Sequence, residues 1–240
     1  MTGPNLRSAQ AATRNEGCGR RTMSAIGLQF ALQTAILAIV FSASARAQDA
    51  GTTAVSQQDV QAKMQYCEVC HGPSARGFVG FYPIPRLAGQ QPQYLKNQLQ
   101  AFVERRRVNP IMFSVAHVLS PAMQTALTTN FIELNPKPLG GAPKELVAAG
   151  KKIFEEGIPD ASVPVPACSS CHGPDAKGNN AFPRLAGQLY PYMVRELGDW
   201  STERGQDPAK PDTSAIMQPI AHSLTEPQIK AVAAYLSYLE

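Results

Sequence analysis

Two short segments of the sequence combine residue types that can attach an iron porphyrin covalently. Each follows the pattern Cys-x-x-Cys-His, at positions 67–71 and 168–172. Two thiols at this spacing can each add to one vinyl group of the same porphyrin, and the adjoining imidazole can offer a nitrogen to the iron. The pattern therefore predicts two haem c groups. The attaching residues are Cys67, Cys70, Cys168 and Cys171, and the iron ligands are His71 and His172.

Three other uses of paired cysteines compete with this interpretation. A thioredoxin-like redox pair needs no following histidine and lies in a βαβ unit, a pattern that the sequence lacks. A zinc site usually separates its cysteine pairs by roughly 15–20 residues, whereas these pairs begin at 67 and 168. Two disulfides, which an exported chain can form, leave both histidines unexplained. Covalent haem explains the histidines and uses every cysteine that follows position 47.

The first 47 residues have the composition of a removable export signal. Five arginines stand against one glutamate, and a largely apolar stretch at 24–41 is followed by Ala45-Arg46-Ala47. This order predicts a signal peptide, 1–47, cleaved after Ala47, and a periplasmic location. The alternative is a transmembrane anchor, which the polar residues inside the apolar stretch disfavour. Beyond position 47 there are 17 basic and 17 acidic residues, a neutral balance that argues against nucleic-acid binding.

The rest of the chain is a tandem repeat. The sequence Pro-Arg-Leu-Ala-Gly-Gln occurs at 85–90 and again at 183–188, 98 positions later. A segment rich in proline and glycine, at 135–143, separates the two copies and should interrupt any helix. We therefore predict one domain over 48–138, with a net charge of +3, and another over 139–240, with a net charge of −3. Opposite charges can steer different partners or favour pairing of the halves.

Each copy has helical patterns, and no alternating strand pattern of useful length appears. In the last predicted helix, Ile229, Val232, Ala233 and Leu236 fall on one face at helical spacing. The sequence thus predicts an all-α protein. The predicted helices span 57–66, 94–104 and 120–133 in the first copy and 143–156, 192–203 and 225–239 in the second.

The second axial position of each iron needs a ligand from elsewhere in the same copy. Met112 and Met217 occupy matching positions, and each is expected in an irregular stretch just before the last helix. A thioether ligand raises the reduction potential relative to two nitrogen ligands and closes the iron to small substrates. The rival ligands are His117 and His222, each five residues after its methionine.

With these motifs, each half resembles a class I cytochrome c domain, and two in tandem behind a signal peptide resemble the diheme cytochrome c4 family. The resemblance implies two domains, each wrapped around a covalently bound haem. In such domains the carbonyl of a proline orients the proximal histidine, a role that falls to Pro85 and Pro183. Leu87 and Leu185 would pack on the haem.

The resemblance also implies a crossing of the first and last helices in each domain. In the second half, a small residue and an aromatic ring, Gly150 and Phe154, would meet Tyr235. In the first half the counterparts are Ala62 and Tyr66, without a tyrosine on the last helix.

Three arginines stand at similar places before the ligand methionines. Arg105, Arg107 and Arg204 are expected either to pair with haem propionates or to lie in solvent at helix ends, where exposed charges contribute little.

The resemblance implies an electron-transfer protein rather than an enzyme. It would carry one electron per haem in a respiratory chain, from a membrane-bound or soluble donor to an acceptor such as a terminal oxidase, with loose membrane association allowed. The alternative is a cytochrome subunit of a periplasmic dehydrogenase complex. A diheme enzyme is a third hypothesis, and it requires an accessible iron or unusual ligation.

Overall fold

The computed structural model describes residues 54–161, 163–204 and 214–240. The predicted signal peptide lies outside the described residues. From Ala54 to Glu240 the chain forms one compact unit. Within the described ranges, no helix has the length and apolar character needed to cross a membrane. These ranges contain helices and isolated bridges but no strand, which confirms the all-α prediction.

All but one of the α-helices of the first half begin at a residue whose side chain satisfies a free backbone N–H group. The side chains of Ser56, Asn109 and Ser120 each accept a hydrogen bond from the first turn, as capping residues do. These helices enclose a core that contains Val60 and Leu127. They are α1 (Gln57–His71), α2 (Pro92–Val103), α3 (Pro110–Ala116) and α4 (Pro121–Ile132).

The second half repeats this arrangement around its own core, which contains Phe154 and Val232. Its last helix begins with a capping box, in which Thr225 and Gln228 satisfy each other's backbone N–H groups. The helices are α5 (Val147–Glu156), α6 (Ser169–His172), α7 (Tyr190–Gly198), α8 (Trp200–Glu203), α9 (Ser214–Ser223) and α10 (Glu226–Tyr238).

Helices α5 and α10 cross at very short range because residue 150 has no side chain. A Cβ atom at Gly150 would lie 1.9 Å from the carbonyl oxygen of Ala231. One turn later the ring of Phe154 packs against Tyr235, with 5.6 Å between centroids. The predicted crossing is therefore confirmed in the second half. The predicted apolar face of α10 is also confirmed, since Ile229, Val232, Ala233 and Leu236 are all buried.

For the first half, the prediction named the wrong residues of α1 at the crossing. Ala62 and Tyr66 are exposed, and Val60 and Met64 are buried in their place. The reason is that α1 runs without a break into the first Cys-x-x-Cys-His segment. Cys67 packs against the same core, so the buried face of α1 has to include this residue. Spacings of four and three residues place all these side chains on one face.

The segments that carry Met112 and Met217 are helical, which corrects the expectation of irregular stretches. Met112 lies in α3 and Met217 lies in α9. In α3 a capping asparagine precedes Pro110 at the first helical position, and both residues favour the start of a helix.

The two halves meet through a reciprocal exchange of hydrogen bonds between their repeated Pro-Arg-Leu-Ala-Gly-Gln segments. The backbone N–H of Arg86 donates to Oε1 of Gln188 (2.8 Å), and Nε2 of Gln188 donates back to the Arg86 carbonyl (3.1 Å). Arg184 and Gln90 form the equivalent pair, at 2.7 and 3.0 Å. The sequence repeat is thus also a structural one, and the interface has pseudo-twofold character.

Asn135 lies between the two halves and contacts both. Its Oδ1 accepts hydrogen bonds from the guanidinium groups of Arg86 (3.3 Å) and Arg184 (3.4 Å). The Arg86 side chain also donates to the carbonyls of Ala88 and Pro136. Burial and the neighbouring Arg184 charge lower the pKa of Arg86 to about 10. The segment between the halves therefore contributes to the interface as well as connecting them.

Candidate functional site

The imidazole rings of the two Cys-x-x-Cys-His segments are fixed in the same way. Nδ1 of His71 lies 2.8 Å from the carbonyl oxygen of Pro85, and Nδ1 of His172 lies 2.9 Å from that of Pro183. A carbonyl can only accept, so Nδ1 carries the proton in both rings. Nε2 then keeps its lone pair, which is the form that binds a metal. The structure brings together both predicted histidine–proline pairs.

The environment keeps both rings neutral. His71 and His172 are buried. Burial lowers the pKa of each ring, while the hydrogen bond to proline opposes this effect. The positive charge of Arg107 lowers the pKa of His71 further. A neutral, oriented imidazole is suited to iron ligation.

The four cysteines of the two Cys-x-x-Cys-His segments are free thiols in the structure. Cys67 packs against the first core and Cys168 against the second. Burial raises the pKa of each of these two thiols to about 11. This setting favours an uncharged sulfur, and a thioether is uncharged. Cys70 is exposed, so the edge of the first site reaches solvent.

The loop after each histidine is built on the same backbone hydrogen bonds. The N–H of Gly77 donates to the His71 carbonyl (2.7 Å), and that of Gly178 donates to the His172 carbonyl (2.8 Å). The predicted leucines lie on these loops and pack against the two cores. Leu87 N–H donates to the Ala75 carbonyl (2.9 Å), and Leu185 N–H donates to the Ala176 carbonyl (2.7 Å).

The candidate ligands for the second axial position differ in exposure. Met112 and Met217 are half-buried, whereas His117 and His222 are exposed. Nδ1 of His117 lies 3.0 Å from the carbonyl of Phe113 in its own helix, and its ring stacks on that of Phe113, with centroids 5.2 Å apart. These contacts explain His117 as a surface residue at the end of α3.

A buried ionic cluster joins the two halves. Glu196 binds Arg107 (Oε1 to Nη2, 2.8 Å) and Arg204 (Oε2 to Nε, 3.0 Å). Oε1 of Gln98 accepts from both arginines, at 2.9 and 2.8 Å. The hydroxyl of Tyr192 accepts from Arg107 at 2.7 Å. We call these five residues the interface cluster.

The electrostatics of the interface cluster leave an excess of positive charge. Burial raises the pKa of Glu196, but the charges of Arg107 and Arg204 outweigh this and lower it to about 2. The carboxylate is therefore ionised at neutral pH. Among the described residues it is the only carboxylate paired with either arginine. The alternative of solvent-exposed helix ends is thus wrong for Arg107 and Arg204, and holds only for Arg105.

A buried donor near the cluster also lacks an acceptor. Within the described parts of the chain, Nε1 of Trp200 is buried and has no hydrogen-bond partner. The guanidinium of Arg204 stacks over the same ring, 4.5 Å from its centroid. An N–H donor without a partner costs free energy, and a propionate of a bound haem would supply the missing acceptor. The two Cys-x-x-Cys-His segments and this donor therefore fit a haem.

Sequence reasoning named the arginines of the interface cluster but missed Gln98, Tyr192 and Glu196 as their partners. A signal was present. Gln98 and Glu196 are 98 positions apart, the same offset that relates the two Pro-Arg-Leu-Ala-Gly-Gln segments. Polar residues at matching positions of a pseudo-twofold repeat can meet at its axis.

The fold and the paired Cys-x-x-Cys-His sites define a c-type cytochrome, and comparisons with known proteins agree. The family model for cytochrome c matches residues 147–240. Cytochrome c-552 of Acidithiobacillus ferridurans is 36% identical over 84% of this chain and 86% of the relative. The thiosulfate dehydrogenase electron acceptor of Thiomonas intermedia is also 36% identical, over 71% of this chain and 77% of the relative.

A solved structure gives the more specific relationship. Cytochrome c4 of Acidithiobacillus ferrooxidans is 36% identical and superposes with a TM-score of 0.62, covering 73% of this chain and 99% of that one. The chain belongs to the diheme cytochrome c4 family. The predicted family, the fold of two class I cytochrome c domains and the haem c cofactor are thereby confirmed.

Proposed function

We propose that this protein is a periplasmic carrier that takes one electron per haem from a donor and delivers it to an acceptor in a respiratory chain. The observation that carries the proposal is the duplicated site. Two buried, neutral imidazoles are each oriented by a proline carbonyl, and both lie in one compact unit. When bound, haem iron supplies reversible one-electron chemistry. The polypeptide supplies ligands, burial and a fixed geometry.

Each predicted residue has a place in this proposal. His71 and His172 would each bind one haem iron, and Met112 and Met217 would supply the second protein ligand. The four cysteines of the two segments would fix the porphyrins through thioether bonds, and Leu87 and Leu185 would cover them. Half-burial of both methionines supports their assignment over the exposed histidines. Iron with two protein ligands has no open site for a substrate, which favours electron transfer over catalysis.

The interface supports transfer between the two halves. Reciprocal hydrogen bonds between the repeats hold them in one arrangement. Arg107 and Arg204 carry an excess of positive charge, and the Trp200 donor has no partner among the described residues. Both suit haem propionates. A rigid environment changes little when one electron enters or leaves.

Variants of the axial residues test the proposal. The oxidised protein should show a sulfur-to-iron charge-transfer band, and Met112→Ala and Met217→Ala should each remove about half of it. His117→Ala and His222→Ala are the matched controls, and they should leave the band unchanged. A band that keeps its full intensity in both methionine variants would move the assignment to other residues.

A second candidate function is suggested by one relative. The Thiomonas intermedia protein is named as a thiosulfate dehydrogenase electron acceptor, so this chain could serve as the cytochrome subunit of a dehydrogenase. Purification from the native source distinguishes the two. A carrier should elute alone with its full haem content, whereas a subunit should elute in a fixed ratio with a catalytic protein.

A further inference from the structure

The two halves differ most in the loop between the proximal histidine and its proline. The histidine and proline are 14 positions apart in the first half and 11 in the second. The longer loop reads Gly-Phe-Val-Gly-Phe-Tyr-Pro-Ile at 77–84, whereas the second half has Gly-Asn-Asn-Ala-Phe at 178–182. We call residues 77–84 the aromatic loop. It replaces the polar tip of the repeat with large apolar side chains.

The tip of the aromatic loop is exposed to a degree that is unusual for such residues. The side chain of Phe81 is fully exposed (109%), and about half of the surface of Val79 (52%) and Phe78 (53%) is open to solvent. Val69, in the nearby Cys-x-x-Cys-His segment, is also 80% exposed. Contiguous exposed apolar residues mark interaction sites in soluble proteins.

The base of the loop is fixed, so the exposed tip is not a consequence of a loose segment. Phe78 and Ile84 exchange backbone hydrogen bonds of 2.9 and 3.0 Å. Gly77 adopts φ +94°, and a Cβ there would lie 2.9 Å from the side chain of Leu189 in the other half. The guanidinium of Arg195 stacks 3.8 Å from the centroid of the Tyr82 ring. The fold therefore presents Val79 and Phe81 outward on a preorganised support, which lowers the entropy cost of binding.

The position of the loop connects it to the site. Its first residue, Gly77, donates to the carbonyl of His71, and Cys70 in the same segment is exposed. A protein seated on the loop would thus contact the side of the molecule where the first haem is attached.

We infer that the aromatic loop is the docking surface of the first half for a redox protein whose contact face is apolar at its centre and acidic around it. This inference rests on the proposed function. The exposed Arg76 immediately precedes the loop, and the guanidinium of Arg195 lies over the Tyr82 ring, so basic groups lie beside the apolar tip. Basic charge around an apolar centre steers an acidic partner, and burial of the centre then holds it. The second half has a polar tip and a net charge of −3, so it suits a different partner.

The test compares transfer to a protein with transfer to a small oxidant. The reduced, haem-loaded protein is mixed in a stopped-flow instrument with detergent-solubilised terminal oxidase from the source organism, and separately with ferricyanide. The double variant Val79→Ser, Phe81→Ser should slow transfer to the oxidase about tenfold and change the ferricyanide rate less than twofold. The matched control is Ala181→Ser, at the tip of the equivalent loop, which should change neither rate.

Three other outcomes would each contradict one part of this inference. Equal oxidase rates for the wild type and the double variant would overturn the docking surface and leave the carrier proposal intact. A wild type that reduces ferricyanide but not the oxidase contradicts the proposed acceptor class, and the docking surface with it. Loop-dependent binding to anionic lipid vesicles, or loop-dependent self-association in sedimentation, with an unchanged oxidase rate would assign the loop to a membrane or a second copy instead.

Discussion

Replacement of Glu196 by glutamine removes the one negative charge of the interface cluster while keeping the shape of the side chain. Among the described residues, Arg107 and Arg204 would then have only neutral partners. The pKa of Glu196 falls from the ordinary 4.5 to about 2 in the folded protein, and each pKa unit corresponds to about 1.4 kcal/mol. The ionised carboxylate therefore contributes about 3 kcal/mol to stability at neutral pH. This agrees with the cost of about 3–5 kcal/mol for breaking a buried ion pair.

The sign of the pH dependence follows from the lowered pKa. A group whose pKa is depressed by folding contributes its full stabilisation above its unfolded pKa and loses it as the pH falls toward the folded value. The wild type should thus lose this contribution between pH 4.5 and about 2, whereas Glu196→Gln never has it. The difference of about 3 kcal/mol at pH 7 should shrink to less than half at pH 3.

Guanidinium denaturation of the haem-loaded protein, followed by far-ultraviolet circular dichroism, measures this difference. The matched control is Glu155→Gln, which removes the carboxylate of an exposed pair with Lys151 at 3.8 Å. The control should change the free energy of unfolding by less than about 0.5 kcal/mol. A Glu196→Gln variant as stable as the wild type at pH 7, or a difference that grows toward pH 3, would refute the reasoning.

Two further substitutions test the packing of the helices and of the halves. Gly150→Ala places a Cβ 1.9 Å from a backbone oxygen, so it should lower the free energy of unfolding by about 3 kcal/mol. The control is Gly198→Ala, where a Cβ meets nothing within 4 Å, and it should change this free energy by less than about 1 kcal/mol. Equal effects of the two variants would contradict the close crossing of α5 and α10. Asn135→Ala removes the acceptor shared by the two halves and should cost about 1–2 kcal/mol in the same denaturation assay. Asn97→Ala, which removes an exposed acceptor, is its control, and an Asn135 variant with no greater effect contradicts the role of Asn135 at the interface.

The parts of the site that were predictable from sequence are those set by local chemistry. Covalent attachment needs two thiols and an imidazole within five consecutive residues, so 67–71 and 168–172 were recognisable without a fold. The prolines that orient the histidines followed from the resemblance to a family. The structure pairs both, Pro85 with His71 and Pro183 with His172.

The wrong predictions have local causes. The segments around Met112 and Met217 were expected to be irregular because they are rich in proline, asparagine or serine. Pro110 instead lies at the first position of α3, where proline favours a helix, whereas Pro219 lies inside α9. The buried face of α1 was misplaced because it was aligned with α5. Helix α1 runs directly into the cysteines. The face that carries Cys67 therefore points to the core, and it buries Val60 and Met64.

The interface cluster could not be derived from local patterns. Its contacts between the halves join residues 85 to 106 positions apart, as in Tyr192 with Arg107 and Arg204 with Gln98. Which polar residues meet there depends on how two domains pack, and propensity and periodicity do not report this. Only the repeat offset carried a hint, since matching positions can meet across a pseudo-twofold axis.

The central claim is that two porphyrins are bonded to this polypeptide. The most direct measurement is the intact mass of the denatured mature protein, taken after expression with a working haem-attachment system. The account predicts a mass equal to that of the polypeptide plus two haems, with both retained under denaturing conditions. A mass that shows one haem or none would contradict it.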